Sequence, residues 1–246
     1  MANDDDRVSR AALISSALLA VFRGKFCDIL LPGRTVKIFD EKQVMYELGD
    51  KARLLYFVQS GIAKVGTVTD DGREIIYDLR KSGDVLGELC CLGAPRSDRA
   101  VAVERTEAIV ISFEEAIEAL AKHPAVLRDF VQMFSRALAE AYDQVNRLAA
   151  GSVEEGLIEV LSKLAHKLGQ PAGGLVEIPV YLTQEELSQM VVARRERVST
   201  ALNALRRGGV AQYSPRGHLL LNMQALERLR AQFGPSEDQT MRVLPR

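Results

Sequence analysis

Residues 182–209 read LTQEELSQMVVARRERVSTALNALRRGG. Thr183, with Glu186 three positions later, has the spacing of a capping box, so a helix begins here. Leu187, Met190 and Val191 give that helix one apolar face, and the pattern breaks near Val192–Ala193. A second helix runs from Arg194 to about Arg207, with Val198, Ala201, Leu202 and Leu205 as its buried stripe. Arg195, Glu196, Ser199 and Thr200 fall opposite the stripe, and Gly208–Gly209 stops the helix. Two helices joined by a tight turn, the second loaded with arginine, form a helix-turn-helix pattern. A short polar helix with arginine near its start suits the major groove. Arginine forks onto guanine O6 and N7, and glutamate accepts from cytosine N4. A solvated two-helix hairpin is the other reading of the same residues.

The rest of the chain shows what this segment serves. At 246 residues it is long enough for two domains, and 47% hydrophobic with 26% charged residues is ordinary globular composition. The net charge is −1, but it is unevenly spread: from Tyr181 to Arg246 there are ten arginines, no lysine and six acids. A basic C-terminal part beside an acidic remainder fits a dedicated nucleic-acid module. Cys27, Cys90 and Cys91 are an odd number without a framework spacing, as expected of a reducing compartment. Residues 1–10, MANDDDRVSR, are unlike a signal peptide, and no apolar run approaches the roughly 18 residues of a membrane span. A cytoplasmic protein without membrane contact is expected, with residues 234–246 as a disordered tail.

Ala11 to Phe22 reads as a short apolar helix. From about Phe26 to Phe113, short alternating strands recur about every ten residues. They are divided by turns at Gly33, Gly49–Asp50, Gly61, Asp71–Gly72 and Gly83–Asp84. That is the texture of an antiparallel barrel or jelly roll. Leu54–Val58 reads as a buried strand, and Val65–Thr69 with Arg73–Leu79 as a hairpin. Glu114–Lys122 is a short helix, and His123–Pro124 opens a long one. Along it Leu127, Val131, Phe134, Leu138, Ala141, Val145 and Leu148 keep a strict heptad spacing, which favours a parallel two-chain coiled coil. Packing of that seam against its own domain is the alternative. Gly151–Ser152 breaks the run, Val153–Leu168 is another amphipathic helix, and Gln170–Gly174 reads as a linker. Val176–Val180 is a strand. Val210–Asn222 holds a hairpin turned at Pro215–Arg216–Gly217, like a wing, and a last helix spans about Gln224–Phe233.

Jelly roll, long helix and winged helix-turn-helix, in that order, resemble the cyclic-AMP receptor protein and fumarate–nitrate regulator family of bacterial transcription factors. The likeness spans about residues 26–222. Two motifs carry it: Gly87-Glu88-Leu89 with Pro95-Arg96-Ser97, which resembles the family's phosphate-binding cassette, and Arg195-Glu196-Arg197-Val198-Ser199, which resembles its recognition helix. The resemblance implies an α+β chain in three parts. These are an effector-sensing, cyclic-nucleotide-binding-like β jelly roll (1–122), a dimerisation helix (123–150), and a winged helix-turn-helix (151–246). It implies effector contacts at Gly87, Glu88, Leu89, Arg96 and Ser97. Glycine admits backbone N–H groups to an anion, arginine forks onto phosphate, and glutamate can accept from a ribose hydroxyl. Family members that bind cyclic AMP carry a Thr-Ser pair on the long helix, where this chain has Ala141 and Tyr142; Tyr142 can stack on a base or pack beside the seam. The cassette is also two residues shorter between Glu88 and Arg96.

In the DNA module the resemblance implies contacts from Thr183, Gln184, Arg194, Arg195, Glu196, Arg197, Ser199 and Thr200. Arg195 and Glu196 reach bases, and Arg194 and Arg197 grip phosphates. Thr200 stands where many relatives have a base-reading arginine, and Val192 where the turn usually has glycine, so valine there must avoid positive φ or accept strain. The expected protein is a homodimeric regulator of a palindromic operator, with RNA polymerase as partner. The alternative is a nucleotide-binding module acting on another protein.

Residues 26–113 contain no histidine, since the three in the chain are His123, His166 and His218, and three cysteines are too few for a four-thiolate cluster. Metal, haem and iron–sulfur cofactors are therefore not expected. The effector stays open between a cyclic nucleotide such as cyclic AMP, a different effector such as a cyclic dinucleotide, and none. Cys90–Cys91 reads as small apolar filler or as a redox-reactive pair. No catalytic set or dinucleotide fingerprint is present, so an enzyme is not expected.

Overall fold

The computed structural model describes residues 29–30 and 33–233, without the side chains of residues 133, 136, 137, 139, 140 and 143–150. The helix expected at Ala11–Phe22, Cys27 and the tail from Gly234 lie outside the described residues, as do the Val145 and Leu148 side chains. The chain divides into two compact units at Tyr142/Asp143.

The first unit is a pair of four-stranded antiparallel sheets. Strands β1 (Val36–Phe39), β8 (Thr106–Ser112), β3 (Leu54–Ser60) and β6 (Val85–Leu86) form one; β2 (Val44–Tyr46), β7 (Arg99–Ala102), β4 (Ile62–Val68) and β5 (Glu74–Lys81) form the other. The unbroken apolar run of β3 has a simple cause. Its alternate side chains enter two different cores. Tyr56 and Val58 join Phe39, Tyr46, Leu86 and Ala100 between the sheets. Leu55 and Phe57 join Ile109 and Ile111 under the helices. The hairpin between β4 and β5 turns at Gly72, whose φ of 82° requires a residue at ease in the left-handed region.

Helix α1 (Phe113–Ala121) begins in a full capping box between Ser112 and Glu115. Helix α2 (Pro124–Ala150) follows. Its heptad positions separate into two stripes. Leu127 and Phe134, with the more deeply buried Val126 and Phe130, pack on the core beneath α1; Phe130 and Phe134 meet edge to face at 4.9 Å. Val131 and Leu138 are 56% and 52% exposed, and Ala141 is exposed with them. Leu127 and Phe134 therefore serve their own unit in this structure, while Val131, Leu138 and Ala141 form a separate outward-facing line.

In the second unit, α3 (Val153–Leu168), capped by Ser152 and Glu155, packs against α4 (Gln184–Val191), α5 (Arg195–Arg207) and α6 (Met223–Phe233). Leu157, Ile158, Leu161, Leu187, Val198, Leu202 and Leu226 are buried in this unit. The expected linker at Gln170–Gly174 is instead a hairpin. Strand β9 (Gln170–Ala172) pairs with β10 (Leu175–Ile178) around Gly173–Gly174, both at positive φ, so the glycines and proline that looked like linker are turn and edge-strand residues. Strands β11 (Ala211–Tyr213) and β12 (Leu219–Leu221) complete the sheet in the order β11-β12-β10-β9. No helix of the described residues is long and apolar enough to cross a membrane.

Candidate functional site

The cassette is built on one glycine. Gly87, at φ 82°, turns the chain from β6 into a 3-10 turn over Glu88–Leu92. A Cβ on Gly87 would stand 2.6 Å from the Leu54 carbonyl oxygen and 2.9 Å from Arg96 Nη1, so no larger residue fits. Leu89 is half-buried and Ser97 exposed.

Arg96 does not point outward. It is 4% exposed. Its Nη1 donates to the Gly87 carbonyl at 3.2 Å and its Nη2 to the Leu54 carbonyl at 2.6 Å. The guanidinium lies 4.0 Å from the centroid of the Tyr46 ring. Its backbone is clamped as well, with Arg96 N–H donating to the Asp50 carbonyl and Gly49 N–H donating to the Arg96 carbonyl, both at 2.9 Å. Arg96 thus ties β3, the cassette turn and the Gly49–Asp50 turn together, while its Nε has no protein partner.

Around it lie groups that the sequence did not single out. The Tyr46 hydroxyl donates to Asp98 Oδ2 at 2.7 Å, and Asp98 is only 1% exposed. Burial, and then the Asp98 carboxylate, push the Tyr46 hydroxyl far above its usual range, so it stays protonated and donates. Arg80, from β5, donates from Nη2 to Glu88 Oε1 at 2.9 Å, and its Nε stands 3.4 Å from Asp78 Oδ2. Burial opposes the Arg80 charge, but the Glu88 and Asp78 carboxylates outweigh it and hold its pKa above the ordinary value. The internal partner of Glu88 is therefore Arg80, not Arg96. Neither Arg80 nor Asp98 belongs to a local motif; only strand alternation, which turns Arg80 toward the cassette, carried any signal.

Cys90 is packed in the core beneath α1, and burial raises its thiol pKa, which makes it a weak nucleophile; Cys91 is half-buried. Tyr142 is 63% exposed on α2 and stacks on no ring among the described residues. Among the described residues no group of three or more His, Cys, Asp or Glu is placed to hold a metal ion.

In the second unit, the Thr183 side chain accepts from Glu186 N–H and donates to Glu186 Oε2, so its hydroxyl is committed to the capping box. Gln184 is half-buried beside Tyr213. The turn ends on Val192 at φ 57°, ψ 47°, a left-handed valine. The strained alternative raised by the sequence is the one adopted. That conformation costs an L-residue about 1–2 kcal/mol, against about 0.5–1 kcal/mol of extra backbone entropy for glycine. Val192→Gly is expected to stabilise the second unit by up to about 1 kcal/mol in urea unfolding. A loss of stability would mean that the half-exposed valine side chain contributes more than its backbone strain costs.

Arg194 caps α5 without a side-chain hydrogen bond, and Arg195 starts the helix. Arg194, Arg195, Glu196, Arg197 and Thr200 line its start; Arg195, Glu196 and Thr200 lie on one face, and Ser199 is half-buried. The Thr200 hydroxyl donates to the Glu196 carbonyl at 2.9 Å, which leaves it less free to read a base. The wing between β11 and β12 closes with Gly217 N–H donating to the Ser214 carbonyl at 2.9 Å, and the Tyr181 ring leans on Gly217. Arg206 lies over Tyr213 at 5.1 Å.

Comparison with known proteins agrees with both halves. Residues 36–123 match the cyclic nucleotide-binding domain model, and residues 155–229 the Crp-like helix-turn-helix domain model. The chain is 32% identical to the transcriptional regulator LdrP of Thermus thermophilus, over 78% of this chain and 95% of that one. It is 26% identical to a CRP-like cAMP-activated global transcriptional regulator of Mycobacterium tuberculosis, over 77% and 85%. A crystal structure of a CRP-family transcriptional regulator from Thermus thermophilus superposes with a TM-score of 0.61 at 28% identity, covering 79% of this chain and 96% of that one. With a roll, a cassette and a winged helix-turn-helix in this order, and relatives aligned across nearly their whole length, the chain belongs to the CRP/FNR family of transcription regulators.

Proposed function

We propose that this protein is an effector-responsive, sequence-specific DNA-binding regulator, cytoplasmic, acting as a homodimer on a palindromic operator. The observation that carries the DNA reading is the start of α5. Arg194, Arg195 and Arg197 cluster there, and none forms an ion pair among the described residues. Three cations at the positive end of a helix oppose its dipole. A polyanion seated on that end offsets the cost, and base edges then lie within reach of Arg195 and Glu196. Thr183 and Gln184, at the start of α4, complete the set of residues assigned to DNA contact.

The outward stripe of α2, Val131, Leu138 and Ala141, supplies a seam for a second copy, the heptad spacing of the sequence continues at Val145 and Leu148, and residues 123–150 act as the dimerisation helix. Leu127 and Phe134 extend the seam only at its edge. A symmetric pair of recognition helices then meets half-sites about one helical turn apart. RNA polymerase is the partner where the regulator activates.

The effector reading rests on the cassette. A phosphate approaching the backbone N–H groups of Gly87, Glu88 and Leu89 and the Ser97 hydroxyl needs the Arg96 fork turned toward it, and Tyr142 is free to close on a base. The M. tuberculosis relative is named as cAMP-activated, which favours a cyclic nucleotide here. Binding acts as a population shift between two arrangements of the α2 helices rather than as chemistry. The test is selection from a pool of palindromic DNA followed by mobility shifts across salt, with and without cyclic AMP. An enriched sequence with a slope of about −0.9 per phosphate contact supports the reading. No enriched sequence and a flat slope favour a module acting on a protein partner.

A further inference from the structure

Four buried polar atoms without a protein hydrogen-bond partner fall within the cassette cluster: Arg80 Nε, Glu88 Oε2, Arg96 Nε and Asp98 Oδ1. In a folded interior such atoms are rare, and each carries a desolvation cost. Two belong to side chains that are almost wholly buried, Arg96 and Asp98. The other two belong to one ion pair. Arg80 holds Glu88 by Oε1 alone, at 2.9 Å, and Oε2 stays buried without a donor although the carboxylate is only 17% exposed.

We propose that Arg80 is a positioning residue of the effector site: it pins Glu88 by one oxygen and leaves the other as a fixed acceptor for a hydroxyl of the bound nucleotide. The proposal rests on the nucleotide reading above and adds a residue to it. A glutamate in a turn that is free to rotate satisfies itself with water or backbone. One held through one oxygen by a guanidinium is fixed in orientation and presents its other oxygen as a positioned acceptor. Arg80 sits on β5, the edge strand of its sheet, and its backbone position is set by pairing with one neighbour: Ala63 pairs with Arg80 in the β4–β5 ladder. Asp78, on the same face two residues earlier, braces the guanidinium from the other side. The ligand class that answers this arrangement carries an anion for the cassette and a neighbouring hydroxyl donor for Glu88, as a cyclic ribonucleotide does and its 2′-deoxy analogue does not.

The experiment is calorimetric titration of the full chain with 3′,5′-cyclic AMP and with 2′-deoxy cyclic AMP, for the natural protein, Arg80→Met, Arg80→Lys and Glu88→Gln. The natural chain is expected to favour the ribonucleotide by roughly tenfold or more, the scale of one buried hydrogen bond to a charged acceptor. Arg80→Met brings the two affinities to within about twofold while binding of the deoxy analogue changes little, and Arg80→Lys restores part of the preference. A tenfold preference that survives in Arg80→Met overturns the proposal. So does an Arg80→Met chain that weakens both nucleotides equally, which marks a merely structural role. If neither nucleotide binds the natural chain, the nucleotide reading fails by itself. The Arg80–Glu88 coupling is then decided by thermal unfolding of Arg80→Met, Glu88→Met and the double variant. Each single variant is expected to melt lower and the double to recover most of the loss, whereas additive losses overturn it.

Discussion

Replacing Arg195 with alanine is expected to weaken operator binding by about 1–3 kcal/mol per half-site and to relax selectivity at one base position. The magnitude follows from where the side chain sits. Arg195 is the first residue of α5, exposed, and free of ion pairs among the described residues, so its removal costs the folded protein little. Its loss should appear in DNA binding alone, with the unfolding midpoint unchanged. Arg194→Ala and Arg197→Ala supply the contrast. As phosphate contacts they should weaken all sequences alike and reduce the salt slope by about one each. The measurement is a mobility-shift titration of the selected operator and of single-base variants at several salt concentrations. If Arg195→Ala lowers affinity uniformly, with selectivity intact, Arg195 grips the backbone and a neighbouring side chain reads the base. If it changes neither, α5 does not enter the groove.

The DNA module was legible in the sequence because its signals are local. A capping box, an apolar stripe at helical spacing and a pair of glycines locate both helices, and the Thr183–Glu186 box stands where the spacing put it. Val192 shows the same legibility from the other side: a position demanding left-handed backbone was recognisable from the turn, and valine takes that conformation. What was not legible depends on contacts between distant segments. Arg80 and Glu88 are eight residues apart around a turn and a strand, so no motif joins them. Arg96 pairs with the Leu54 carbonyl 42 residues away, and nothing in Pro95-Arg96-Ser97 says that the arginine folds inward. The α2 seam was only partly legible for a further reason. A heptad count samples one stripe, yet Val126 and Phe130, which are buried most deeply, lie off that stripe, so the helix carries a face for its own unit beside the line it shows to solvent. The hairpin at Gln170–Gly174 was hidden because proline and glycine are depleted from strands, and only pairing with Leu175–Glu177 makes it one.

The inward fold of Arg96 changes what its substitution means. Arg96→Ala removes two charge-assisted hydrogen bonds and a guanidinium–ring contact, and strands the carbonyls of Leu54 and Gly87 in a buried setting. Each such bond is worth about 1.5–3 kcal/mol, less the desolvation cost that the buried guanidinium no longer carries, so a net loss of about 2–4 kcal/mol in the first unit is expected. Unfolding in urea, followed by the near-ultraviolet signal of the tyrosines, measures it, because Tyr46 and Tyr56 report on the core between the sheets. Arg96→Lys restores the charge but not the fork, and should recover less than half of the loss, since one ammonium cannot span two carbonyls and lie flat on Tyr46. This bears directly on the effector. A nucleotide that takes the Arg96 fork must replace the Leu54 and Gly87 bonds with phosphate bonds, so ligand binding and the local stability of the cassette are linked through one side chain. Loss of nucleotide binding in Arg96→Ala is then ambiguous, whereas Ser97→Ala, at an exposed position, tests the phosphate site without disturbing the core. If Arg96→Ala unfolds at the same urea concentration as the natural chain, the inward strut contributes nothing, and Arg96 is held there only until a ligand arrives.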